Sequence, residues 1–320
     1  SLLWGDVSGD KVPDVIYVVY DKSDKKRYVG ALHGKLGTPV WSAKEVGHIS
    51  GGCGLGIQTL KDLDGDGLLD VVFTACKTIL GIKGTDGTVL NPQNIQSSIV
   101  DKVPGINCGN TSGYAMVYDL DGDKEDDLLA TGNYSFMCRF SSAYASGKLT
   151  LTNKWTSSPA SAYNPVYASP APCSGGVRLA APIKASNTLE VRKGSDGALV
   201  SSLTLKAGSV AGYLTNAVTH ADLAGKGSPR TLVGSDDGYL YAVDTCAATP
   251  TLDWALHMRA PVDEAILGDT DGDKKDEILV ASQDGYLFAL GKEHLPAPAF
   301  VYENDGKGPA TTEAQDIDAY

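Results

Sequence analysis

Fifteen carboxylates fall at matching places in four nine-residue stretches: DVSGDKVPD from Asp6, DLDGDGLLD from Asp62, DLDGDKEDD from Asp119 and DTDGDKKDE from Asp269. In the second stretch Asp62, Asp64, Asp66 and Asp70 hold positions 1, 3, 5 and 9. Alternate residues at 1, 3 and 5 point inward together if the stretch curls, and Gly65 at position 4 permits the curl. Position 9 closes the cage. Four carboxylates this close repel one another unless a cation lies between them. An all-oxygen donor set suits Ca²⁺, whereas Mg²⁺ dehydrates reluctantly and rarely takes an all-protein cage. Zn²⁺ asks for His or Cys, and the loops contain neither. The grammar is not that of an EF-hand, which needs Gly at position 6 and Glu at 12; position 12 here is Phe73.

The expected ligands are Asp6, Ser8, Asp10 and Asp14 in the first loop and Asp62, Asp64, Asp66 and Asp70 in the second. Asp119, Asp121, Asp123 and Asp127 serve the third, and Asp269, Asp271, Asp273 and Glu277 the last, for about four Ca²⁺ ions in all. Ser8 at position 3 leaves the first loop one carboxylate short. A decayed copy, DLAGKGSPR, keeps only Asp222; Lys226 or Arg230 supplies charge there and no metal is expected. The chain has 39 acidic and 27 basic residues, a net charge of −12. Without the fifteen loop carboxylates, 24 acids would face 27 bases, so the acidity is local to the loops. An acidic chain is a poor partner for nucleic acid, and no apolar run approaches the length of a spanning helix.

The loops need strands to hold them. The first three copies start 56 and 57 residues apart, and the last two 47. The 103 residues from Asp119 to Asp222 have room for two units, the first of them GGVRLAAPIKASNTLEV near Gly175 without an acidic loop. Each unit has a short apolar stretch, the loop, a β-rich run such as VVFTA, a third segment such as TILGIKG or YLYAVD, and a fourth such as GTPVW or TLDW. Short apolar runs between Gly, Asp, Asn and Pro read as antiparallel strands. Four strands repeated every 50 residues or so specify propeller blades; the coils of a β-solenoid are much shorter. The expected fold is an all-β, six-bladed β-propeller, with seven blades as the alternative. The blades run over 1–50, 51–105, 106–165, 166–208, 209–258 and 259–302, and 303–320 is a linker or tail that leads to further domains of the chain.

The four loops resemble the calcium-binding FG-GAP or VCBS repeats of integrin α-chain heads and many secreted bacterial proteins. GSDDGYLYAVD and ASQDGYLFALG are more loosely similar to repeats of quinoprotein (PQQ-type) propellers. The integrin-like resemblance implies that each loop joins the first and second strands of a blade. It also implies that calcium stiffens the propeller and that partners bind on the opposite face. Integrin heads have seven blades, against the six counted here, and the fourth and fifth units have lost the loop.

Six cysteines suit an oxidising compartment. Cys108 and Cys138 lie symmetrically about Asp123, and Cys53 and Cys76 nearly so about Asp66, which pairs each couple across the first two strands of a blade. Cys173 and Cys246 pair by elimination. Catalytic signals are thin: the five His are scattered, and there is no G-x-S-x-G elbow. GGCGLG at Gly51 precedes a strand rather than a helix, so it is a turn and not a dinucleotide loop. Trp41, Trp155, Trp254 and Phe300 share the fourth-strand position, which assigns them to packing between blades, as do Tyr239, Tyr241, Tyr286 and Phe288 in the third. Two long crossings, Asn91–Gly113 and Thr156–Gly176, emerge opposite the loops and are the expected binding surface. The resulting expectation is a non-catalytic, secreted or cell-surface adhesion module that binds a protein or glycan without entering a membrane. The alternatives are a polysaccharide lyase drawing on Arg139, Arg178 or Arg259, a quinoprotein dehydrogenase, and a structural spacer.

Overall fold

The computed structural model of the chain describes residues 2–24, 26–48, 55–75, 78–91, 115–132, 136–157, 168–183, 186–208, 212–215, 217–222, 228–270, 272, 274–291 and 301–302. Among the described residues all regular structure is strand. The chain divides into two compact units, Ser1–Asp119 with Asp123–Tyr163 and Leu120–Gly122 with Asn164–Tyr320.

The first unit holds three antiparallel sheets. One runs in the order β1 (Leu2–Gly5), β2 (Asp14–Asp21), β3 (Lys26–Leu32), β4 (Pro39–His48). The next contains β5 (Leu55–Lys61), β6 (Asp70–Ala75) and β7 (Thr78–Ile82), and the third β8 (Ala115–Tyr118), β9 (Asp127–Gly132), β10 (Phe136–Ala145) and β11 (Lys148–Ser157). In the second unit β12 (Ser169–Ala171), β13 (Arg178–Pro182), β14 (Thr188–Lys193) and β15 (Leu199–Thr204) form one sheet. The others are built from β16 (Thr219–Ala221), β17 (Arg230–Gly234), β18 (Tyr239–Asp244) and β19 (Thr251–His257), and from β20 (Val262–Gly268), β21 (Glu277–Ser282) and β22 (Leu287–Leu290). Among β1–β22, strands consecutive within a sheet are also neighbours in it, paired antiparallel as hairpins require.

Successive residues of a strand face opposite sides of its sheet, and in β6 and β18 both sides are buried. Val71 and Phe73 of β6 pack with Ile16, Val29 and Ala31 of the first sheet, while Val72 packs with Leu128 and Phe140 of the third. In the second unit Leu240 and Ala242 of β18 join Ile278 and Val280, whereas Tyr241 and Val243 join Ala180 and Leu189. Sheets therefore stack face to face, with one apolar layer shared by each adjacent pair within a unit. Two of the fourth-strand tryptophans, Trp41 and Trp254, serve these layers, while Trp155 on β11 is half-buried. Trp41 is buried and its Nε1 donates to Gly84 O at 2.6 Å, and Trp254 lies in the layer with Phe288.

Two expectations change. Cys138 lies on β10, the third strand of its sheet, paired in register with Ala130 and Thr156. Placing Cys138 on the second strand requires that strand to extend as far as residue 138, but β9 ends at Gly132. Cys138 is disulfide-bonded; Cys53, Cys76 and Cys108 lie outside the described residues. Cys173 and Cys246 form a disulfide with a Cα–Cα distance of 5.3 Å. The segment assigned as fourth strand of the last unit also goes elsewhere. There β23 (Val301–Tyr302) pairs in parallel with Ala255 and Leu256 at the outer edge of β19. Phe300, residues 92–114 and 158–167 of the long crossings, and the tail from 303 lie outside the described residues.

The loops need left-handed backbone at two places. Position 4 has φ of 82°, 79°, 84° and 84° at Gly9, Gly65, Gly122 and Gly272. Position 6 is also left-handed, and there only the second loop uses glycine: φ is 67° at Lys11, 85° at Gly67, 74° at Lys124 and 67° at Lys274. An L-residue in that region costs about 1–2 kcal/mol. Lys11→Gly should therefore unfold at higher urea than Lys11→Ala, by about 1 kcal/mol, with loss of the lysine charge common to both variants. Equal stability of the two would overturn the strain reading.

Candidate metal centres

One register frames every loop. The residue before position 1 pairs with position 9: Gly5 with Asp14, Lys61 with Asp70, Tyr118 with Asp127 and Gly268 with Glu277. Inside this frame the backbone aims the carboxylates. Asp6 accepts from Gly9 N at 2.7 Å and Lys11 N at 2.8 Å. Asp62 accepts in the same way from Gly65 N at 2.7 Å and Gly67 N at 2.9 Å, and Asp269 from Gly272 N at 2.6 Å and Lys274 N at 3.0 Å. Asp119 takes Lys124 N at 3.0 Å. Position 5 accepts from position 7 at Asp10, Asp66 and Asp123. The left-handed residues at 4 and 6 are what turn these N–H groups toward position 1.

Position 9 is the buried end of the arrangement. Asp14 and Asp70 are almost wholly buried. Asp70 Oδ2 accepts from Leu63 N at 2.8 Å and Oδ1 from Gly84 N at 2.9 Å. Asp14 does the same with Val7 N, Ser8 N and Gly34 N. This carboxylate therefore ties the loop to the turn after the third strand. Gly84 is needed there because a Cβ would lie 1.9 Å from Leu69 O, and Gly34 because one would lie 1.8 Å from Pro13 O. Position 2 anchors the loop from the other side. Val7 and Leu63 are buried in the layers between sheets, and Leu120 is buried too. In the last loop position 2 is the exposed Thr270, whose N–H and hydroxyl both donate to Glu277 Oε2 at 2.7 Å.

Two sets of carboxylates converge. Oxygens of Asp62, Asp64 and Asp70 lie within 4.8 Å of one another, as do those of Asp119, Asp121 and Asp127. Asp271 and Asp273 lie outside the described residues, so the last loop is seen only through Asp269 and Glu277. In the first loop Ser8 Oγ is buried without a hydrogen-bond partner, and so is Nδ1 of His33, 3.6 Å from Asp14 Oδ1 and 3.8 Å from Asp10 Oδ2. Buried polar atoms without partners are the mark of a place completed by an ion or water. Position 3 of this loop thus offers an unused oxygen where a ligand is expected. The convergent oxygens, the orphaned Ser8 Oγ and the absence of nitrogen or sulfur donors within the loops all fit a hard divalent cation.

Basic side chains from outside the loops were not foreseen in the first three. Lys83 Nζ binds Asp64 Oδ2 and, at 2.8 Å, Asp66 Oδ2. That ammonium holds the Asp66 carboxyl below its ordinary range, and Asp64 and then Asp66 in turn raise the pKa of Lys83. Arg139 Nε lies 2.8 Å from Asp127 Oδ2, with both side chains nearly buried, which gives this arginine a partner inside the loop. Of the other arginines considered for catalysis, Arg259 stacks over Tyr286 at 5.3 Å and Arg178 begins β13. The repeat itself held the signal for two of these bases, since His33 and Lys83 precede the same glycine in GALHG and LGIKG. In the decayed copy Arg230 stands at position 9, paired with Ala221 in the common register. It binds Asp253 at 2.5 Å and Asp244 at 3.3 Å, so the charge at that position is reversed and compensated from the strands behind it.

Burial pushes the Asp70 carboxyl up to about 6 from 3.8, helped by Asp64 and Asp66 and opposed by the Gly84 and Leu63 N–H groups. Between about pH 4 and pH 6 the folded protein keeps a proton that the unfolded chain has lost. Ionising this group then costs native stability, and its contribution declines as pH rises through that window and is level above it. Urea unfolding of chelator-treated protein should show this slope, and Asp70→Asn should flatten it. An unchanged slope in the variant would assign the titration to other groups.

No known family profile matches the chain, and no curated protein does. Solved structures do match. BBS1N in its complex with ARL6DN aligns over 90% of this chain and 78% of its own, with 13% identity and a TM-score of 0.52. An Agrocybe aegerita lectin that recognises non-reducing terminal N-acetylglucosamine aligns over 92% and 80%, with 13% identity and a TM-score of 0.51. Saccharomyces cerevisiae Sqt1 aligns over 87% and 69%, with 11% identity and a TM-score of 0.50. Likeness at such identity speaks for the fold alone: the chain is an all-β protein with the β-propeller fold.

Proposed function

We propose that this is a six-bladed, calcium-stiffened propeller of the FG-GAP type that binds a protein or glycan partner outside the cell and catalyses nothing. The observation that carries the metal reading is the convergence of Asp62, Asp64 and Asp70 in a hairpin whose backbone donors hold each carboxylate in place. When bound, the ion would neutralise carboxylates that otherwise repel. Asp62, Asp64, Asp66 and Asp70 would hold it in the second loop, and Asp119, Asp121, Asp123 and Asp127 in the third. Asp6, Ser8, Asp10 and Asp14 would do so in the first, and Asp269, Asp271, Asp273 and Glu277 in the last. The chain's own residues do the remaining work. The position-9 carboxylate links each of the first two loops to the next hairpin turn, and the apolar residue at position 2 pins it to the layer between sheets.

Several observations support an extracellular binding role. The Cys173–Cys246 disulfide and the disulfide-bonded Cys138 suit an oxidising compartment. Propellers that share the fold include one solved with a protein partner and one that takes a terminal sugar. In the proposed propeller the loops would share one face, which would leave the opposite face for a partner.

Calcium should raise the melting temperature of chelator-treated protein, and Asp66→Ala should reduce the number of ions bound by one while leaving the others. Melting that is indifferent to calcium, in protein shown by elemental analysis to be metal-free, would sink the metal reading. A glycan array and a pull-down with extracellular proteins test the binding role. Binding that survives removal of every loop ion would place the partner site away from the metal-stiffened parts.

A further inference from the structure

The second loop contains a cation of its own. Lys83 follows β7, and its backbone is fixed: Lys83 N donates to Thr88 O at 2.7 Å, and Gly87 N to Lys83 O at 2.9 Å. The next residue, Gly84, is held by Asp70 at 2.9 Å and admits no side chain. Only the lysine side chain is left to move. Its ammonium bridges Asp64 and Asp66, positions 3 and 5 of the loop, and the side chain remains about one quarter exposed. The first loop has the same backbone arrangement at the same place, with His33 N on Thr38 O at 2.8 Å and Gly37 N on His33 O at 2.7 Å. There the base is an imidazole that stops 3.6 Å short of Asp14. In the third loop the base is a guanidinium from another strand, and Arg139 Nε lies 2.8 Å from Asp127 at position 9.

We propose that Lys83 is a tethered competitor for the ion of the second loop: it neutralises Asp64 and Asp66 in ion-free protein and swings out when a divalent cation binds there. The proposal rests on the reading that this loop binds such a cation. A lysine ammonium is a point charge on a flexible stem, so it can occupy a cation's place and leave it without backbone movement. A site that must first shed an internal occupant binds its ligand more weakly, in proportion to the fraction of time it is free. The second loop has a full set of four carboxylates and also this competitor, so its affinity is set by both. The lysine is a positioning and affinity-setting residue, not a ligand.

The test compares the full chain with Lys83→Met, which keeps the aliphatic stem, and Lys83→Arg, which keeps the charge. Calcium is the probe. Two effects of opposite sign are expected from Lys83→Met: a lower melting temperature in chelator, and calcium binding at the second loop tighter by about tenfold in titration calorimetry. Lys83→Arg should stay close to the parent in both. Reductive ¹³C-methylation of the lysines supplies a direct readout, with the Lys83 resonance identified by its absence from Lys83→Met. In the parent that resonance should shift on adding calcium. If calcium binds and raises the melting temperature while the Lys83 signal stays still and Lys83→Met titrates like the parent, the competitor role is overturned and the metal reading stands. If neither protein binds calcium in any loop, both fall.

Discussion

Crowded like charge at the tips of hairpins is the constraint on which the arrangement of these loops depends. Carboxylate oxygens within 4.8 Å repel by roughly 1 kcal/mol per pair in water and by about 3 kcal/mol at the effective dielectric of a protein surface. Unrelieved, that repulsion would splay the loop and pull position 9 from its place beside the next turn. Relief comes first from the backbone. Each position-1 aspartate in the first, second and last loops accepts two N–H groups, which the left-handed residues at 4 and 6 turn inward. Those dipoles carry partial charge and offset part of the repulsion. The remainder is met differently in each repeat: by an ammonium across positions 3 and 5, by a guanidinium on position 9, or in the fifth by replacing the carboxylate with Arg230.

The loop's charge reaches the core through two short connections. At position 2 Val7 and Leu63 sit in the apolar layers that join neighbouring sheets, one residue from a carboxylate that needs neutralising. At position 9 Asp14 and Asp70 grip the turns that carry Gly34 and Gly84, and Gly84 O in turn receives the indole N–H of Trp41 from the neighbouring sheet. A displacement at the tip of the second loop is therefore felt at a tryptophan in the layer between two sheets. The acidic loops and the sheet packing are mechanically connected, so the proposed ion at a hairpin tip would stiffen more than its own hairpin.

Much of this was legible in the residues. The loop motif and the alternation of apolar residues after it place the strands, because a hairpin register follows directly from its loop and a period of two follows from the pleat. The basic partners were harder to find. Lys83 lies 17 residues beyond Asp66, and whether its ammonium meets Asp64 depends on how far β6 and β7 run before they turn. Spacing along the chain does not contain that distance. The same limit misplaced Cys138, since a symmetric hairpin presumes equal strands and β9 is short. The parallel pairing of β23 with β19 was hidden for another reason. An outer sheet edge accepts any strand that reaches it, and the repeat pattern states only which strand is adjacent in sequence.

The fifth repeat separates what the carboxylates do from what the turn needs. Its hairpin closes with Ala221 opposite Arg230, the same register as Gly5 opposite Asp14 or Lys61 opposite Asp70. Ala224, Lys226 and Arg230 replace the acids at positions 3, 5 and 9. The fourth sheet goes further and closes Ala171 against Arg178 with a shorter connection and no acidic motif. Hairpins of this architecture therefore form without the acidic set, so turn formation does not account for fifteen carboxylates in four loops. Residues that are costly to bring together, and are not needed for the shape they occupy, have a reason in their charge, and the cation proposed above would supply one: the repeats in which no ion is proposed are those that lack the acids.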